Sequence, residues 1–249
     1  MDIKEKVAVF DNKEDVGRAA GRAIESAIVD LLKRKETIRM IFAAAPSQDT
    51  TLDYLSESKI IQWDRIIAFN MDEYIGLPNT AEQLFSTYLL KKLFSKVKFK
   101  EVCLIDPSKG VELEIDRISD LITNNEIDIV ILGIGENGHI AFNDPPFADF
   151  EDSQVIKKVI LDEVCRQQQV NDGCFSKIEE VPQEALTLTV PTILKGKQLF
   201  CIVLGNHKAE AVKETFLGGI STQWPSSILR THDNCWFYFD KAAVSLLEI

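Results

Sequence analysis

The sequence is poor in the residues that mark several common classes of protein. Its five cysteines are odd in number and form no CxxC pair, which argues against a disulfide framework and a cysteine-rich metal site. No apolar run approaches the ~18 residues of a membrane-spanning helix, and residues 1–10, MDIKEKVAVF, lack a signal-peptide core. We therefore expect a reduced, cytoplasmic protein without a membrane partner, with Cys103, Cys201 and Cys235 in its core.

Positive charge is also scarce. Lysine and arginine number 28 against 39 aspartates and glutamates, so the net charge is -11 at pH 7. A protein that binds nucleic acid normally carries a basic face, and the sequence therefore predicts no nucleic-acid partner. A small anionic ligand is still compatible with this composition, because a few local cations and the N-terminus of a helix can bind it.

Apolar residues, in contrast, make up 45% of the chain and occur in short runs between helical patterns. The runs cover residues 39–45, 65–71, 101–106, 127–135, 199–205 and 235–240. The helical patterns cover residues 13–35, 80–94, 111–125 and 206–216, and a capping box of Thr80 and Gln83 is expected to open the second. Runs that do not alternate with polar residues are typical of parallel strands buried on both faces. The predicted fold is an α/β, open, doubly wound, mostly parallel sheet with helices on both faces (Rossmann-like), in a single domain over residues 1–249.

Ligands of such sheets bind outside the carboxyl ends of the strands, and two of these ends predict an anion site. Ser47 lies where a helix is expected to begin, and a helix N-terminus attracts anions. Lys208 lies in the first turn of another predicted helix, where the helix dipole disfavours a lysine. A phosphate that bridges Ser47 and Lys208 would explain both. The alternatives are a plain helix cap and a solvated surface lysine.

A third strand end carries Asp72 and Glu73 directly after an apolar run. A carboxylate at the rim of a crevice can act as a general base, and partial desolvation would raise its pKa toward working pH. Asp72 is the candidate base, and Glu73 is expected to point elsewhere. The alternative interpretation of Asp72 is a residue that caps a turn.

The fourth strand end is a glycine-rich loop, GIGENGH, in which His139 follows Gly138. A histidine there is suited to proton transfer near neutrality, and Asp144, five residues on, is a candidate to orient it. The alternative is a histidine that bonds the loop backbone. The chain has no GxSxG elbow, so we predict no serine nucleophile. GIGENG has the spacing GxGxxG, but no acidic ribose partner is evident, so we predict no dinucleotide.

Four stretches of the chain resemble the glucosamine-6-phosphate deaminases, also called isomerases. They are FNMDEYIGL (69–77), LGIGENGHIAFNDP (132–145), VPQEALTLTVPTIL (181–194) and LGNHKA (204–209). The related 6-phosphogluconolactonases share the fold and a Gly-His loop. They usually carry an arginine at the position of Tyr74 and a different run after the histidine, so the resemblance favours the deaminases.

The resemblance implies a reaction on a small sugar phosphate. His139 would help to open the pyranose ring, and Asp72 would move a proton from C2 toward C1. Ammonia would then leave to give a ketose 6-phosphate, while Lys208 holds the phosphate. No metal or organic cofactor is implied. Members of the family are often oligomers, so a homo-oligomer is compatible with the sequence, although no interface patch is legible in it.

The chain departs from the family pattern around the histidine and in the phosphate loop. Asn137 stands where the family commonly has aspartate, and Asp144 stands where it commonly has glutamate. The usual Thr-Gly-Gly-Thr loop is replaced by APSQ, in which Ser47 and Gln48 are the phosphate-binding candidates. The usual second phosphate-binding arginine has no clear counterpart, and Arg166 lies nearby but offset.

Three functional hypotheses follow. The first is an amino-sugar-phosphate deaminase/isomerase acting on glucosamine 6-phosphate or a close epimer, such as galactosamine 6-phosphate. The second is a sugar-phosphate lactonase in which His139 activates water. The third is a non-catalytic sensor that keeps Ser47 and Lys208 and binds phosphosugars without turnover.

Overall fold

The computed structural model describes residues 3–145 and 147–247, so the ends of the predicted domain and Pro146 lie outside the described residues. The described residues contain ten strands: β1 (Val7–Phe10), β2 (Ile38–Phe42), β3 (Ile66–Asn70), β4 (Asp72–Tyr74), β5 (Glu101–Cys103), β6 (Ile129–Leu132), β7 (Ile156–Ile160), β8 (Glu184–Leu188), β9 (Gln198–Val203) and β10 (Cys235–Asp240). The α-helices are α1 (Lys13–Leu32), α2 (Asp49–Glu57), α3 (Phe85–Leu89), α4 (Val111–Thr123), α5 (Glu163–Asn171), α6 (Val190–Leu194) and α7 (Ala209–Leu217). None of the described helices is long and apolar enough to cross a membrane.

A seven-stranded parallel sheet forms the centre of the fold, in the order β1-β10-β9-β6-β2-β3-β5. Neighbouring residues of one strand enter different cores: Ile131 packs with α1 and α2, and Leu132 packs with α4 and α7. Because both faces of the sheet are covered, its strands are apolar throughout rather than alternating. The predicted doubly wound α/β fold is confirmed. The three cysteines predicted in the core, Cys103, Cys201 and Cys235, are buried.

A second sheet, which the sequence did not predict, lies at the carboxyl edge of the first. It is antiparallel, in the order β4-β8-β7. Only Met71 separates β3 from β4, so the chain passes directly from one sheet into the other. Tyr74, Phe85, Phe142 and Phe175 fill a separate core cluster beneath this small sheet. The small sheet thereby forms one side of the crevice above the strand ends.

The helix predicted from Thr80 begins later than expected. Residues 80–84 form turns and α3 starts at Phe85, continuing as a π-helix over Leu90–Phe94. Its first N–H groups are satisfied from another element, because the Glu73 carboxylate accepts from Phe85 N at 3.0 Å and Ser86 N at 2.8 Å. The predicted capping box of Thr80 and Gln83 is therefore wrong, since a buried acid from β4 takes its place.

Candidate active site

A cavity of about 650 Å³ opens at the carboxyl edge of the large sheet. Four residues predicted from four different strand ends line it together: Ser47, Asp72, His139 and Lys208. The cavity lies within the range of about 300–1,000 Å³ that is usual for small-ligand sites. The alternation of apolar strands and helices thus brings distant polar residues to a single crevice.

Asp72 occupies the junction of the two sheets as the first residue of β4. Asn70, the last residue of β3, fixes this junction: its Nδ2 donates to Asp72 O at 2.9 Å, and its Oδ1 accepts from Ile105 N at 2.9 Å. The Asp72 side chain is only 6% exposed. Burial raises the pKa of Asp72 well above its ordinary value, and the negative charges of Glu73 and Asp144 raise it further. Once ionised, such a carboxylate is a stronger base than a solvated aspartate.

His139 is held by two oxygen acceptors at one ring nitrogen. Its Nδ1 lies 2.8 Å from Asp144 Oδ1 and 2.7 Å from Asn137 Oδ1. The Asn137 amide is oriented by its other bonds, because its Oδ1 accepts from His139 N and its Nδ2 donates to Asp144 Oδ1, each at 3.1 Å. Since both neighbours of Nδ1 are acceptors, we assign the proton to Nδ1 and the lone pair to Nε2. The ring can therefore accept a proton from a ligand at Nε2.

Asp144 lies behind the histidine, at 1% exposure. Burial acts to raise the pKa of Asp144, but the charge and hydrogen bond of His139, with a further hydrogen bond from Asn137, bring it below its ordinary value. The Asp144 carboxylate is therefore ionised in the neutral range and can stabilise a positive charge on the imidazole. The shorter side chain of aspartate still reaches His139 in this chain.

Two glycines shape the loop that carries His139. A Cβ on Gly135 would fall on the imidazole ring, so only glycine leaves room for the ring at this position. Gly138 has a φ of +79°, in the left-handed region that favours glycine, and a Cβ there would lie 2.8 Å from Trp224 Cε3. Gly138 thus supports the loop through its backbone and lies outside the cavity wall.

Lys208 is a cation buried in the wall of the cavity, at 4% exposure. Burial lowers the pKa of Lys208, while the charges of Asp172 and Glu136 act to raise it. Among the described residues no carboxylate lies within ion-pair distance of its Nζ. A desolvated ammonium without a protein counter-ion is complementary to an anionic ligand.

Ser47 lines the cavity but does not cap α2 as the sequence predicted. It belongs to a 3-10 turn over Pro46–Gln48, and its Oγ accepts from Leu204 N at 3.3 Å. The side chain thereby joins this turn to the end of β9. Its hydroxyl hydrogen stays available to a ligand, because Oγ acts as the acceptor in this bond.

Three other candidate residues do not line the cavity. Gln48 is fully buried, and its Nε2 donates to the carbonyls at Leu132 and Ile202, at 3.3 and 3.2 Å. Arg166 Nη2 donates to the carbonyls of Ile178 and Val181. Glu73 faces away from the cavity and caps α3, as expected from its position next to Asp72. The structure therefore gives all three a structural use.

The cavity also contains residues that the sequence analysis missed. Helix α5 contributes Gln168 and Gln169 to the wall, Asp172 follows directly after this helix, and the start of α1 contributes Lys13. Gln168 is engaged, because it accepts from Glu136 N at 2.9 Å and donates to Asp172 Oδ2 at 3.2 Å. The Gln169 carboxamide is 7% exposed and makes no hydrogen bond with the described residues. The three glutamines at 167–169 show no apolar pattern, so nothing local in the sequence distinguishes the two buried amides from solvated ones.

One cluster in the site has the chemistry of metal ligands. Ligand atoms of His139, Asp144 and Cys165 all lie within 4.8 Å of one another, and all three residues are buried. Cys165 is fully buried on α5, and burial raises its pKa well above the ordinary value, as does the negative charge of Asp144.

Comparisons with known proteins identify the family of the chain. Residues 11–237 match the model of a family described as glucosamine-6-phosphate isomerases/6-phosphogluconolactonase. A glucosamine-6-phosphate deaminase of Bacillus cereus (strain B4264) is 31% identical over 241 residues, which cover 96% of this chain and 88% of the relative. A deaminase of Bacillus thuringiensis (strain Al Hakam) gives the same identity and coverage.

Solved structures extend the comparison to the fold. A monomeric glucosamine-6-phosphate deaminase superposes with a TM-score of 0.87 at 28% identity, covering 97% of this chain and 100% of its own. A 6-phosphogluconolactonase of Thermotoga maritima gives a TM-score of 0.76 at 18% identity, covering 94% of this chain and 99% of its own. The second likeness bears on the fold alone.

Proposed function

Because the chain belongs to the family of glucosamine-6-phosphate isomerases and 6-phosphogluconolactonases, we propose that it converts an amino-sugar phosphate to a ketose 6-phosphate and ammonia. The substrate is glucosamine 6-phosphate or a close epimer. One observation carries this proposal: a buried carboxylate of raised pKa, Asp72, shares a cavity with a histidine whose Nε2 can accept a proton. Isomerisation needs such a base beside C2, whereas hydrolysis of a lactone does not.

The first step in this proposal is ring opening at His139. Nε2 accepts the proton of the C1 hydroxyl and returns it to the ring oxygen as the C1–O5 bond breaks. During this transfer the imidazole is positively charged, and the ionised Asp144 stabilises it across the 2.8 Å contact at Nδ1. Asn137 keeps the ring in the same orientation through its own bond to Nδ1.

The second step is proton transfer at Asp72. The carboxylate removes the proton from C2, and the electron pair forms a C1–C2 double bond. The π pair of the C1 carbonyl moves to O1, which takes a proton from the C2 ammonium and leaves a neutral enolamine. Asp72 then delivers a proton to C1, which leaves an iminium at C2. Water adds to this carbon, and ammonia leaves as the C2 carbonyl forms. One carboxylate can serve both transfers, because the two carbons are adjacent.

Lys208 and Ser47 are the proposed phosphate ligands, from the ends of β9 and β2. Lys13, at the start of α1, is the other lysine among the described residues that line the cavity, and no described arginine lines it. Thr50 Oγ1 in the first turn of α2 donates to Lys13 O at 3.0 Å, which places the start of α1 next to the Ser47 turn. We propose Lys13 as the second phosphate cation in place of Arg166, whose guanidinium bonds carbonyls elsewhere.

The charge of the cavity favours an amine over a lactone. Its lining includes five acidic residues: Asp49, Asp72, Glu82, Asp172 and Asp240. An amino sugar carries a cationic group beside its phosphate, whereas a sugar lactone carries only the phosphate. The acidic residues therefore attract the part of the molecule that distinguishes the two substrates.

The proposal is tested by following two reactions on the same preparation. Ammonia release is measured with glucosamine, galactosamine and mannosamine 6-phosphates, and hydrolysis is measured with 6-phosphogluconolactone. We expect ammonia from at least one amino sugar at a higher kcat/KM than lactone hydrolysis. Faster lactone hydrolysis would instead favour the lactonase, in which His139 Nε2 activates water. Tight binding of the phosphosugars without either reaction would favour the third hypothesis, a non-catalytic sensor.

A further inference from the structure

Cys165 is a buried thiol directly behind the proposed catalytic pair. It lies on α5 at 0% exposure. Its sulfur lies within 4.8 Å of a ring nitrogen of His139 and of a carboxylate oxygen of Asp144. Asp144 Oδ1 contacts the histidine, whereas Asp144 Oδ2 is buried and makes no hydrogen bond with the described residues. A buried carboxylate oxygen with a free coordination position therefore lies next to a nitrogen and a sulfur.

The spacing of these atoms is close to that of a tetrahedral metal centre. Zinc binds sulfur at ~2.3 Å and nitrogen or oxygen at ~2.0–2.2 Å, so ligand atoms of one centre lie roughly 3.2–3.8 Å apart. Here the His139 and Asp144 atoms are 2.8 Å apart, and all three ligand atoms lie within 4.8 Å of one another. Small rotations of the side chains would bring them to the required distances. Asn137 Oδ1, 2.7 Å from the same nitrogen, is placed to serve as a fourth ligand.

We propose that His139 Nδ1, the Asp144 carboxylate and Cys165 Sγ form a binding site for one thiophilic divalent cation such as Zn²⁺. Binding releases the thiol proton and leaves a carboxylate, a thiolate and a neutral imidazole around the ion. The charges of the two anions and the ion cancel, which satisfies the requirement for neutrality in a buried site. The cation reaches the site from the cavity, where the His139 ring is part of the wall.

Occupation of this site switches off the chemistry proposed for His139. A neutral imidazole has a single N–H, and a metal at Nδ1 moves that hydrogen to Nε2. The nitrogen that faces the cavity then donates and can no longer accept the hydroxyl proton. The ion therefore acts as an inhibitor. This consequence rests on the proposed function, whereas the binding of the metal does not.

Binding is tested with Co²⁺ alone, which reports on sulfur ligation by its thiolate-to-metal absorption. We expect this absorption in the wild-type protein, saturating at one Co²⁺ per chain and removed by excess Zn²⁺. Cys165→Ser and Cys165→Ala should each abolish it, and two variants are used because a buried hydroxyl alone could impair folding. Cys174→Ser is the matched control, since Cys174 is a half-buried thiol that lines the same cavity outside the cluster.

The absence of the thiolate absorption in folded wild-type protein would overturn the site. So would its persistence in either Cys165 variant, or its loss in Cys174→Ser. None of these results depends on turnover, so they do not bear on the proposed reaction. If binding were absent while ammonia release was normal, only the metal site would fail.

Inhibition is tested in the ammonia-release assay by titration with Zn²⁺. We expect a loss of activity that EDTA reverses, and an inhibition constant raised on the order of 100-fold in Cys165→Ala, because ligands and their supporting partners contribute 10–100-fold or more each to metal affinity. Equal inhibition of Cys165→Ala and the wild type would contradict an inhibitory site that includes this thiol.

Discussion

At the scale of single residues, Asp72 is held where its charged form is disfavoured. Its carboxyl group is buried beside two other acids, and these surroundings raise its pKa well above the ordinary value. The fold thereby holds a carboxylate of raised basicity at the junction of its two sheets. The same property that makes the carboxylate basic should make it costly for the folded state.

Asp72→Asn should lower kcat by roughly 100-fold or more with little change in KM, because general acid–base groups contribute about 10²–10⁴-fold and act in the transition state. In the wild type, ammonia release should fall as the pH drops through the raised pKa of Asp72, since only the ionised form accepts a proton. The acid limb should thus lie above the ~3.9 of a free aspartate. Glu57→Gln, at an exposed acid outside the cavity, is the control. Near-wild-type turnover of Asp72→Asn would refute the assignment.

Asp72→Asn should also stabilise the protein near pH 7, because an amide has no charged form to be disfavoured by burial. Below ~3.9 both folded and unfolded chains hold the proton. Above that value the unfolded chain releases it first, so wild-type stability falls as the pH rises through the raised folded pKa of Asp72. Urea denaturation at pH 5 and pH 8 measures this difference. A variant less stable than the wild type at pH 8 would argue against a strained carboxylate.

At the scale of elements, the position of α3 depends on a side chain from a different strand. The Glu73 carboxylate accepts from the N–H groups of Tyr74, Phe85 and Ser86. Burial raises the pKa of Glu73, and these three hydrogen bonds lower it again in part. The start of α3 carries Phe85, which packs on Tyr74 and also lines the cavity. Of these two adjacent acids, Asp72 therefore faces the cavity, whereas Glu73 fixes the start of α3, which forms part of the cavity wall.

Glu73→Ala should destabilise the protein by about 1.5–3 kcal/mol, the range for hydrogen bonds to a charged group. Glu73→Gln keeps one acceptor oxygen and should lose a smaller part. The free energy of unfolding measures both, and Glu82→Ala, in the exposed segment before α3, is the control. An unchanged free energy in Glu73→Ala would mean that solvent can replace this cap.

The sequence predicted the elements that have a local apolar pattern and missed those that depend on contacts with distant residues. Strands of the large sheet are buried on both faces, so β2, β3, β6, β9 and β10 were identified from apolar runs within a few residues. Three-residue β4 carries two acids, and it pairs with β8 through residues more than 110 positions apart. Likewise, Glu73 caps α3 from 12 residues away, and the polar residues of α5 enter the cavity without an apolar pattern. Long-range contacts of this kind leave little local signal.

At the scale of the whole molecule, a phosphate ligand should stabilise the fold through Lys208. In the free protein this buried ammonium lacks a counter-ion among the described residues, and burial lowers its pKa. A ligand that binds only the folded state adds RT ln(1 + [L]/Kd), about 2.7 kcal/mol at 100 times Kd. The phosphate of the ligand thus supplies the counter-ion that Lys208 lacks among the described residues.

Inorganic phosphate and a phosphosugar should therefore raise the Tm of the wild type, while Lys208→Met should show a much smaller shift. Lys109→Met is the control, since Lys109 is 82% exposed at its side chain and outside the cavity. Differential scanning fluorimetry over a range of phosphate concentrations measures the effect. Equal shifts in Lys208→Met and the wild type would place the phosphate elsewhere.

The close approach of Gly135 to the imidazole has a consequence for isotope exchange. With its face against the glycine and Nδ1 bonded to Asn137 and Asp144, the ring cannot turn over to present its other nitrogen. A hydrogen taken from a sugar hydroxyl must leave by the nitrogen at which it arrived. The hydrogen that Nε2 takes from O1 should thus pass to O5 of the same molecule and not into the interior of the protein.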